Sequence, residues 1–341
     1  MPINPILPRR HLLGAAAGLP LATATPLRAQ STSWTVYSSA PSVQLTPYKE
    51  LEALAQRMEQ ATSGALRLRP NVGGSLPINI QTITQATGDG VVQMADDSFF
   101  VGAIPIGGVL RLPMLIHSPE EAVRVGPVVR PFLERAYKRR GCVVLAQYWF
   151  PNQVIWSTKP VASLDDLRGM KMRVTSPEQG EFIRRFGGTA VTIGGPEVPS
   201  ALQSGTVDGV LTASVGGGRL WKDLLKTSYR LAVNYFDAYF IANEEAFGTL
   251  TPAQREILLR ETEVAARNST EGHFREEAEL TRQIAAGGIV TTEAKPEDVA
   301  RGMERITPSG ANGRSAINLM RARRWPPPVA SSAAEPPGCA C

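Results

Sequence analysis

Arg173 is the side chain whose type and position point most directly to chemistry, because it stands where a short apolar strand is predicted to end. A guanidinium keeps its charge at any physiological pH and offers a planar fork that matches a carboxylate through two parallel hydrogen bonds. Lys171, two positions earlier, offers only a point charge. The spacing leaves two interpretations open: an arginine that binds a carboxylate, or a structural ion pair with Asp165 or Asp208.

Catalytic and metal-binding arrangements are not predicted. The sequence contains no G-x-S-x-G elbow, no H-E-x-x-H motif and no paired C-x-x-C motif, and the glycine run 216–218 lacks the Lys-Ser/Thr of a phosphate-binding loop. His117, beside a helix cap, and His273, in a charged helix, are expected at the surface. We therefore expect no catalytic residue, no bound metal and no cofactor, and the chain is not expected to be an enzyme.

The first 29 residues have the features of an export signal. Arg9 and Arg10 form a twin-arginine start, a weakly apolar run rich in Ala and Gly follows, and small residues precede Gln30. We expect a Tat-type signal peptide over residues 1–29, its cleavage after export, and localisation in the periplasm. Pro20 and the low hydrophobicity of the run disfavour a membrane span, so no stable membrane insertion is expected.

The charge balance gives no indication of a nucleic-acid partner. The formal net charge of the whole chain is +5, but removal of residues 1–29 deletes three arginines, and 33 basic against 31 acidic residues then leave +2. No stripe of Lys and Arg with interleaved aromatic residues is present.

Cys142 is expected to be a buried small hydrophobe, and Cys339 and Cys341 lack the His or carboxylate neighbours of a metal site.

The elements around Arg173 alternate between strand and helix. The pattern predicts a strand that ends at Arg173, a helix capped by Ser176, a strand over 189–193, a short helix over 197–204 and a strand over 207–211. The chain before this segment repeats the alternation. Such a pattern favours an α/β fold with a mainly parallel sheet, on which ligands bind beyond the carboxyl ends of the strands.

Two interrupted apolar runs predict crossings between domains. The first breaks at residues 150–153 and the second, over 231–242, breaks at Asn234 and Asp237. Two crossings make each domain discontinuous and place a hinge between them. A long helix from Thr251 to about Ala286 carries many Glu/Arg pairs, which are typical of a solvated face.

Asp97 and Ser98 follow a predicted strand over 91–95 and leave two interpretations open. Short polar side chains at such a position commonly cap a helix or face solvent. Alternatively, one of the two faces the same cleft as Arg173, because the carboxyl ends of parallel strands meet at one edge of a sheet.

The segment over 164–209 resembles the solute-binding proteins of tripartite ATP-independent periplasmic (TRAP) transporters. The resemblance rests on the export signal, the Arg after G-x-K-x, the S/T-x-x-x-G helix, the strand F-G-G-T-A-V and the motif P-E-V-P-S-A-L-Q-S-G-T-V-D-G. It extends from residue 34 to about residue 325. It implies a periplasmic-binding-protein-like α/β fold, in which two α/β domains are joined by a hinge, enclose a ligand cleft and are bridged by a long helix. It also implies capture of a small organic acid and its delivery to the membrane subunits of a TRAP permease.

The resemblance also leads to domain boundaries and site residues. Domain I is expected over 30–150 plus 238–278, and domain II over 151–237 plus 279–325, with 326–341 as a disordered tail. Arg173 matches the carboxylate-binding arginine of the family. The further candidate ligand-binding residues are Gln153, Asp97, Ser38, Ser39, Ser176, Gly195, Thr212, Trp149 and Asp237.

Three positions depart from the family pattern. Gln153 stands where many relatives have Arg, Gly195 stands where they often have an aromatic residue, and Val210-Leu211-Thr212 replaces a pair that often contains Glu. Because these differences remove charge and bulk, we expect a monocarboxylate or an aromatic or larger acid rather than a dicarboxylate. The expected apolar wall consists of Trp149, Trp156, Tyr235, Phe236 and Tyr239. Two alternatives are an exported binding module that serves a sensor or assembly, and a periplasmic enzyme of organic acids.

Overall fold

The computed structural model describes residues 31–306. The predicted signal peptide over 1–29, the predicted tail over 326–341, and Cys339 and Cys341 lie outside the described residues. Over 31–306, no helix has both the length and the apolar character that a membrane crossing requires.

A mixed β-sheet forms the centre of the described chain. Its strands are β1 (Thr32–Ser38), β2 (Leu66–Asn71), β3 (Met94–Asp97), β4 (Cys142–Ser157), β5 (Lys171–Val174), β6 (Thr189–Thr192), β7 (Gly209–Thr212), β8 (Thr227–Asn243) and β9 (Val290–Thr292). They lie in the order β2-β1-β3-β8-β4-β7-β5-β6, and β9 pairs with β8. The prediction of a mainly parallel sheet is confirmed at the two flanks. It is wrong in the middle, where β4 and β8 run antiparallel to each other and to β7 and β3.

Helices cover the sheet, and four of the described helices begin after a residue whose side chain caps the first turn. They are α1 (Thr46–Ala61), α2 (Ile83–Gly88), α3 (Pro119–Lys138), α4 (Pro177–Arg185), α5 (Val198–Gln203), α6 (Arg219–Trp221), α7 (Glu244–Thr249), α8 (Pro252–Ala286) and α9 (Pro296–Ile306). Ser176 caps α4 by accepting the Gln179 N–H, as predicted. A Gln three residues after Ser176 also fits a capping box, but the Gln179 side chain reaches back to Thr175 rather than to Ser176, so the box does not form.

The two long strands β4 and β8 join the two halves of the sheet. They contain 16 and 17 residues and pair antiparallel along their length. The predicted break at residues 150–153 does not end β4; the ladder instead shifts register between Phe150 and Gln153 and again between Gln153 and Ile155. A register shift of this kind bends a strand while pairing continues on both sides. The predicted crossing is therefore an irregularity within one continuous strand.

Hydrophobic clusters lie on both faces of each half. We call β1, β2, β3 and the adjoining parts of β4 and β8 the N-terminal half, and β5, β6, β7, β9 and the remaining parts of β4 and β8 the C-terminal half. In the N-terminal half, alternate residues of β4 enter different clusters, Val144 on one face and Leu145 on the other. Ile155 and Trp156 separate in the same way in the C-terminal half. Cys142 is buried in the first of these clusters, as predicted.

Helix α8 is 35 residues long and packs against both α1 and β4. His273, on its inner face, is buried: Nδ1 lies 2.9 Å from the backbone oxygen of Trp149, and the ring stacks on Phe150 at 4.3 Å. The expectation of a surface position is therefore wrong for His273, because α8 lies across β4 at this point. His117 is exposed, as predicted.

Burial lowers the pKa of the His273 imidazole to about 4, whereas a histidine in an unfolded chain titrates near pH 6.5. Between these values the unfolded state binds a proton that the folded state does not. The contribution of the neutral imidazole to stability is therefore complete above about pH 6.5 and is lost as the pH falls toward 4. We expect His273→Gln to remove this loss, which is about 1 kcal/mol per pH unit for one proton. Urea denaturation at pH 7, 6, 5 and 4.5 measures it.

The matched control is His117→Gln, which changes an exposed imidazole and should leave the pH profile of the unfolding free energy unchanged. Parallel profiles for the native protein and His273→Gln would contradict the assignment of this proton to His273.

Candidate ligand-binding site

A cavity lies where strand ends from both halves meet the irregular stretch of β4. Its empty space, including open solvent at its mouth, is about 630 Å³. Half of the ten residues predicted from the sequence line this one cavity: Ser39, Gln153, Arg173, Gly195 and Thr212. They come from β4 and from residues at or just after the ends of β1, β5, β6 and β7, so the topology agrees with the rule that ligands bind beyond the carboxyl ends of parallel strands.

Arg173 provides the positive charge of the cavity. It lies in β5 with only 4% of its surface exposed, and its Nε donates to the backbone oxygen of Ile193 at 3.1 Å. Burial lowers the pKa of the Arg173 guanidinium to about 10, so the side chain is still charged at neutral pH. No other charged side chain is found among the described residues that line the cavity.

The alternative of a structural ion pair is not what the structure shows. Asp165 pairs with Arg301 at 2.6 Å, and Asp208 pairs with Lys159 at 2.7 Å. Among residues 31–306, no carboxylate oxygen lies within 4.0 Å of the Arg173 guanidinium nitrogens. The protein therefore buries this charge without a carboxylate in direct contact. Glu197 favours the charged form from a greater distance, but burial outweighs this effect, and a contacting anion would lower the remaining cost in free energy.

Aromatic rings enclose the guanidinium. The centre of the Arg173 guanidinium lies 5.7 Å from the ring centroid of Phe99 and 5.5 Å from that of Trp221. Both rings line the cavity, as do Phe150 and Phe236, which contact each other edge to face at 5.4 Å. Rings at these distances attract the cation and exclude water, which strengthens the interaction between the guanidinium and a bound anion.

The aromatic wall expected from the sequence is placed differently. Of its five members, Phe236 lines the cavity. The other four pack into the hydrophobic clusters: Trp149, Trp156, Tyr235 and Tyr239. Strand alternation is the reason in β4, since Tyr148 and Phe150 on either side of Trp149 face the cavity instead. The sequence signal that could have found them is this period of two.

A buried hydroxyl network forms the wall of the N-terminal half. Asp96 accepts hydrogen bonds from the hydroxyls of Tyr148 at 2.6 Å and Ser38 at 2.8 Å. Ser39 donates to the same carboxylate at 3.4 Å and accepts from Ser98 at 2.6 Å. Burial raises the pKa of Asp96, and the hydrogen bonds from these hydroxyls oppose the rise. Ser39, Ser98 and Tyr148 line the cavity, whereas Ser38 lies behind them.

Asp97 faces away from the cavity. It lies inside β3, which extends two residues beyond the predicted strand, and it is 1% exposed. Its carboxylate accepts from the Thr84 hydroxyl and from the Phe99 N–H. Of the two residues for which the sequence left both interpretations open, Ser98 lines the cavity and Asp97 does not.

Asp237 is part of a second buried charge cluster. Its carboxylate pairs with Arg111 Nε at 2.8 Å and accepts from the Tyr239 hydroxyl at 2.7 Å, and the charged groups of the pair are fully buried. The Arg111 guanidinium lies between the rings of Phe100 and Phe236, at 4.4 and 3.9 Å. Asp237 thus neutralises Arg111 and does not line the cavity.

Two further candidates, Ser176 and Trp149, do not line the cavity and instead make contacts that stabilise the fold. The Ser176 hydroxyl serves as the N-cap of α4, and Trp149 belongs to a hydrophobic cluster of the N-terminal half. The Thr175 side chain, one residue before the cap, lines the cavity and was missed by the sequence analysis. The burial pattern of β5 and the cap position do not show which of the two adjacent hydroxyls faces the ligand.

Three candidates within the cavity have specific local constraints. Gln153 Nε2 donates to the backbone oxygen of Pro151 at 2.9 Å. Thr212 Oγ1 accepts the Gly217 N–H at 2.9 Å. A Cβ atom on Gly195 would lie 2.7 Å from Pro41 Cγ, so the close approach of these two loops requires glycine. Over residues 31–306, no group of three or more His, Cys, Asp or Glu side chains is arranged to hold a metal ion.

Comparison with known proteins identifies similar sequences and folds. The family profile "Bacterial extracellular solute-binding protein, family 7" matches residues 37–313. A solute-binding protein of Albidiferax ferrireducens is 28% identical over 163 residues, which are 47% of this chain and 48% of the relative. The match to this curated relative thus spans about half of its length.

Solved structures share the fold. DctP7, an extracytoplasmic solute receptor of Bordetella pertussis that binds pyroglutamic acid, superposes with a TM-score of 0.77 at 24% identity, over 85% of this chain and 100% of the receptor. A TRAP periplasmic solute-binding protein of Desulfovibrio salexigens with bound orotic acid gives a TM-score of 0.78 at 18% identity, over 86% and 98% of the two chains. The predicted periplasmic-binding-protein-like α/β fold is therefore confirmed.

Gly195→Ala tests the close approach of the loops at residues 41 and 195. The added methyl group would overlap the Pro41 ring, and relief of an overpacked contact of this kind costs about 1–3 kcal/mol. We expect ligand affinity to fall roughly tenfold or more, which calorimetric titration measures. Gly248→Ala is the control, since a Cβ there meets nothing within 4 Å. An unchanged affinity in Gly195→Ala would show that the contact does not matter for binding.

Asp97→Asn tests whether Asp97 acts on stability alone. Burial raises the pKa of Asp97 to about 7, so its contribution to stability is complete below about pH 4 and is lost as the pH rises through 7. The variant cannot ionise, and we expect its melting temperature relative to the native protein to increase between pH 5 and pH 8. Ligand affinity at pH 7 should change by less than about threefold, because the side chain does not line the cavity. A selective loss of affinity would place Asp97 in the site.

Proposed function

Because the chain belongs to the bacterial extracellular solute-binding proteins of family 7, the DctP-like proteins of TRAP transporters, we propose that it captures a small monocarboxylate and delivers it to a TRAP permease. The observation that carries the proposal is the buried Arg173 guanidinium, which lines the cavity and has no carboxylate partner among the described residues. A bidentate pair with the ligand carboxylate would supply the missing negative charge.

The charges around the cavity favour one carboxylate over two. Arg111 is the other buried arginine close to the cavity wall, and Asp237 already neutralises it. Gln153 lines the cavity without a charge. A second carboxylate on the ligand would therefore lose its water without gaining a cation to pair with, and the desolvation would weaken the free energy of binding by about several kcal/mol.

The aromatic lining favours a ligand with a flat or apolar body. Phe99, Phe150, Phe236 and Trp221 provide faces and edges for such a body, while Arg173 binds its charged end. The ligands of the two similar structures, pyroglutamic acid and orotic acid, each combine one carboxylate with a compact ring. Pyroglutamate is accordingly the first acid to test on this chain.

Because both halves contribute residues to the cavity, we infer that the two halves close around the ligand. Ser39, Ser98 and Tyr148 belong to the N-terminal half, and Arg173 and Thr175 belong to the C-terminal half. A ligand that contacts both halves stabilises the closed state by its additional contacts there. The predicted domains, 30–150 plus 238–278 and 151–237 plus 279–325, would then be the moving bodies.

The position of the register shift supports this division. Phe150 pairs with Phe236 before the shift, and Gln153 pairs with Asn234 after it. The proposed boundaries at 150/151 and 237/238 thus fall within three residues of the irregular ladder. Export through the Tat pathway and release into the periplasm complete the proposal, in agreement with the family and with the motif at Arg9 and Arg10.

Arg173→Met tests the proposed carboxylate contact. The variant removes the guanidinium but keeps an apolar stem, so the fold should persist while the charge is lost. In a thermal-shift screen of organic acids, we expect the acid that raises the melting temperature of the native protein to have no effect on the variant. Arg168→Met, at an exposed arginine outside the cavity, is the control. Equal stabilisation of Arg173→Met and the native protein would overturn the site assignment.

A further inference from the structure

The hydroxyl protons in the cavity wall of the N-terminal half are directed into the protein. Tyr148 donates to Asp96 at 2.6 Å, and Ser98 donates to Ser39, which in turn donates to Asp96. Asp96 is fully buried, and the hydroxyls are its hydrogen-bond donors. A carboxylate only accepts hydrogen bonds, so it orients the hydroxyls around it with their protons inward. Ser98 keeps 4% of its surface exposed, whereas Tyr148 is fully buried, so the lone pairs of the Ser98 oxygen are what remains for the cavity.

An independent arrangement has the same effect in the C-terminal half. The Thr175 backbone N–H donates to Gln179 Oε1 at 2.8 Å, which identifies that atom as the amide oxygen. The Thr175 hydroxyl, 2.9 Å from the same oxygen, must therefore donate to it. Gln179 Nε2 donates in turn to Asn234 at 2.9 Å, which keeps the amide in this orientation. Thr175 thus also turns a lone pair, and not a proton, toward the cavity.

The Arg173 guanidinium is the cationic hydrogen-bond donor among the described residues that line the cavity. A bound acid must place its carboxylate against it, because a carboxylate next to the oxygen lone pairs of Ser98 or Thr175 would be repelled. What these oxygens can accept is an N–H or O–H group of the ligand. If the ligand has no such group, the oxygens lose their contact with water and gain nothing in return, a penalty of about 1–3 kcal/mol for each buried group.

We propose that the ligand is a monocarboxylate that also carries a hydrogen-bond donor, an amide N–H or a hydroxyl. This inference rests on the proposed function and narrows its substrate class. The carboxylate pairs with Arg173, and the donor is accepted by the oxygen of Ser98. Acids of the same shape in which the donor is replaced by an ether oxygen or a methylene group bind weakly. The cavity selects against them because its acceptors are left unpaired.

Calorimetric titration of the native protein with two matched sets of acids tests the inference. The first set is pyroglutamate, the lactone 5-oxotetrahydrofuran-2-carboxylate and 3-oxocyclopentane-1-carboxylate, in which the ring N–H becomes O and then CH2 without a change of shape. The second set is 3-phenyllactate and 3-phenylpropionate, which differ by one hydroxyl. We expect the donor-bearing acid of at least one set to bind roughly tenfold or more tightly than its analogues.

The variant Ser98→Ala tests which atom accepts the donor. It removes the oxygen that lines the cavity and should weaken the donor-bearing acid at least fivefold, while its donor-free analogues bind as before, so that the preference shrinks. Ser157→Ala is the matched control, because Ser157 is an equally buried serine whose hydroxyl bonds to the backbone of Asp208 outside the cavity. It should leave the preference intact.

The outcomes separate this inference from the proposed function. Binding of donor-bearing and donor-free acids with equal affinity would overturn the donor requirement and leave carboxylate capture standing. A preference that persists unchanged in Ser98→Ala would overturn the assignment of the acceptor. Absence of binding by every acid of both sets, together with no response in the thermal-shift screen, would overturn the proposed function and this inference with it.

Discussion

The antiparallel pairing of β4 with β8 is the constraint on which the rest of the structure depends. Both strands run through the N-terminal and the C-terminal half, so each half obtains its central strands from the same two segments. Their ladder shifts register between Val144 and Ala146 and again over the stretch from Phe150 to Ile155, and the cavity lies beside the second of these irregular stretches. Tyr148, Phe150 and Gln153 all line the cavity from this one strand.

Buried charge gives the cavity its chemistry. Within residues 31–306, two arginines close to the site are less than 5% exposed, and they differ in one respect. Arg111 has Asp237 at 2.8 Å and the rings of two phenylalanines against its faces, so its charge is compensated within the protein. Arg173 has a single backbone acceptor and, among the described residues, no carboxylate within 4.0 Å. The rings of Phe99 and Trp221 and the more distant Glu197 offset part of the cost of burying this second charge, and the cavity leaves it accessible to an anion.

The sequence predicted the order of elements around Arg173 because capping and glycine signals act locally. Ser176 and the glycines after α4 mark the helix ends within one or two residues. It did not predict which side chains face the cavity, since this depends on strand parity at the irregular ladder: Trp149 points into a cluster while its neighbours line the site. His273 was misplaced for a related reason, because only the packing of α8 on β4 buries that face of a charged helix.

The two halves contact each other directly through small polar groups and close backbone approaches. Gln81 Nε2 donates to the backbone oxygen of Thr192 at 3.3 Å, and Arg219 donates to that of Gln44 at 2.7 Å. Such exposed contacts contribute little to the free energy of closure. A ligand that pairs with Arg173 of the C-terminal half and donates to Ser98 of the N-terminal half would add buried contacts to both halves at once. An acid that engages Arg173 alone would contact one half and give no differential stabilisation of the closed state. Recognition of the ligand's hydrogen-bond donor by the N-terminal half is therefore what would couple binding to closure, and with it selectivity to transport.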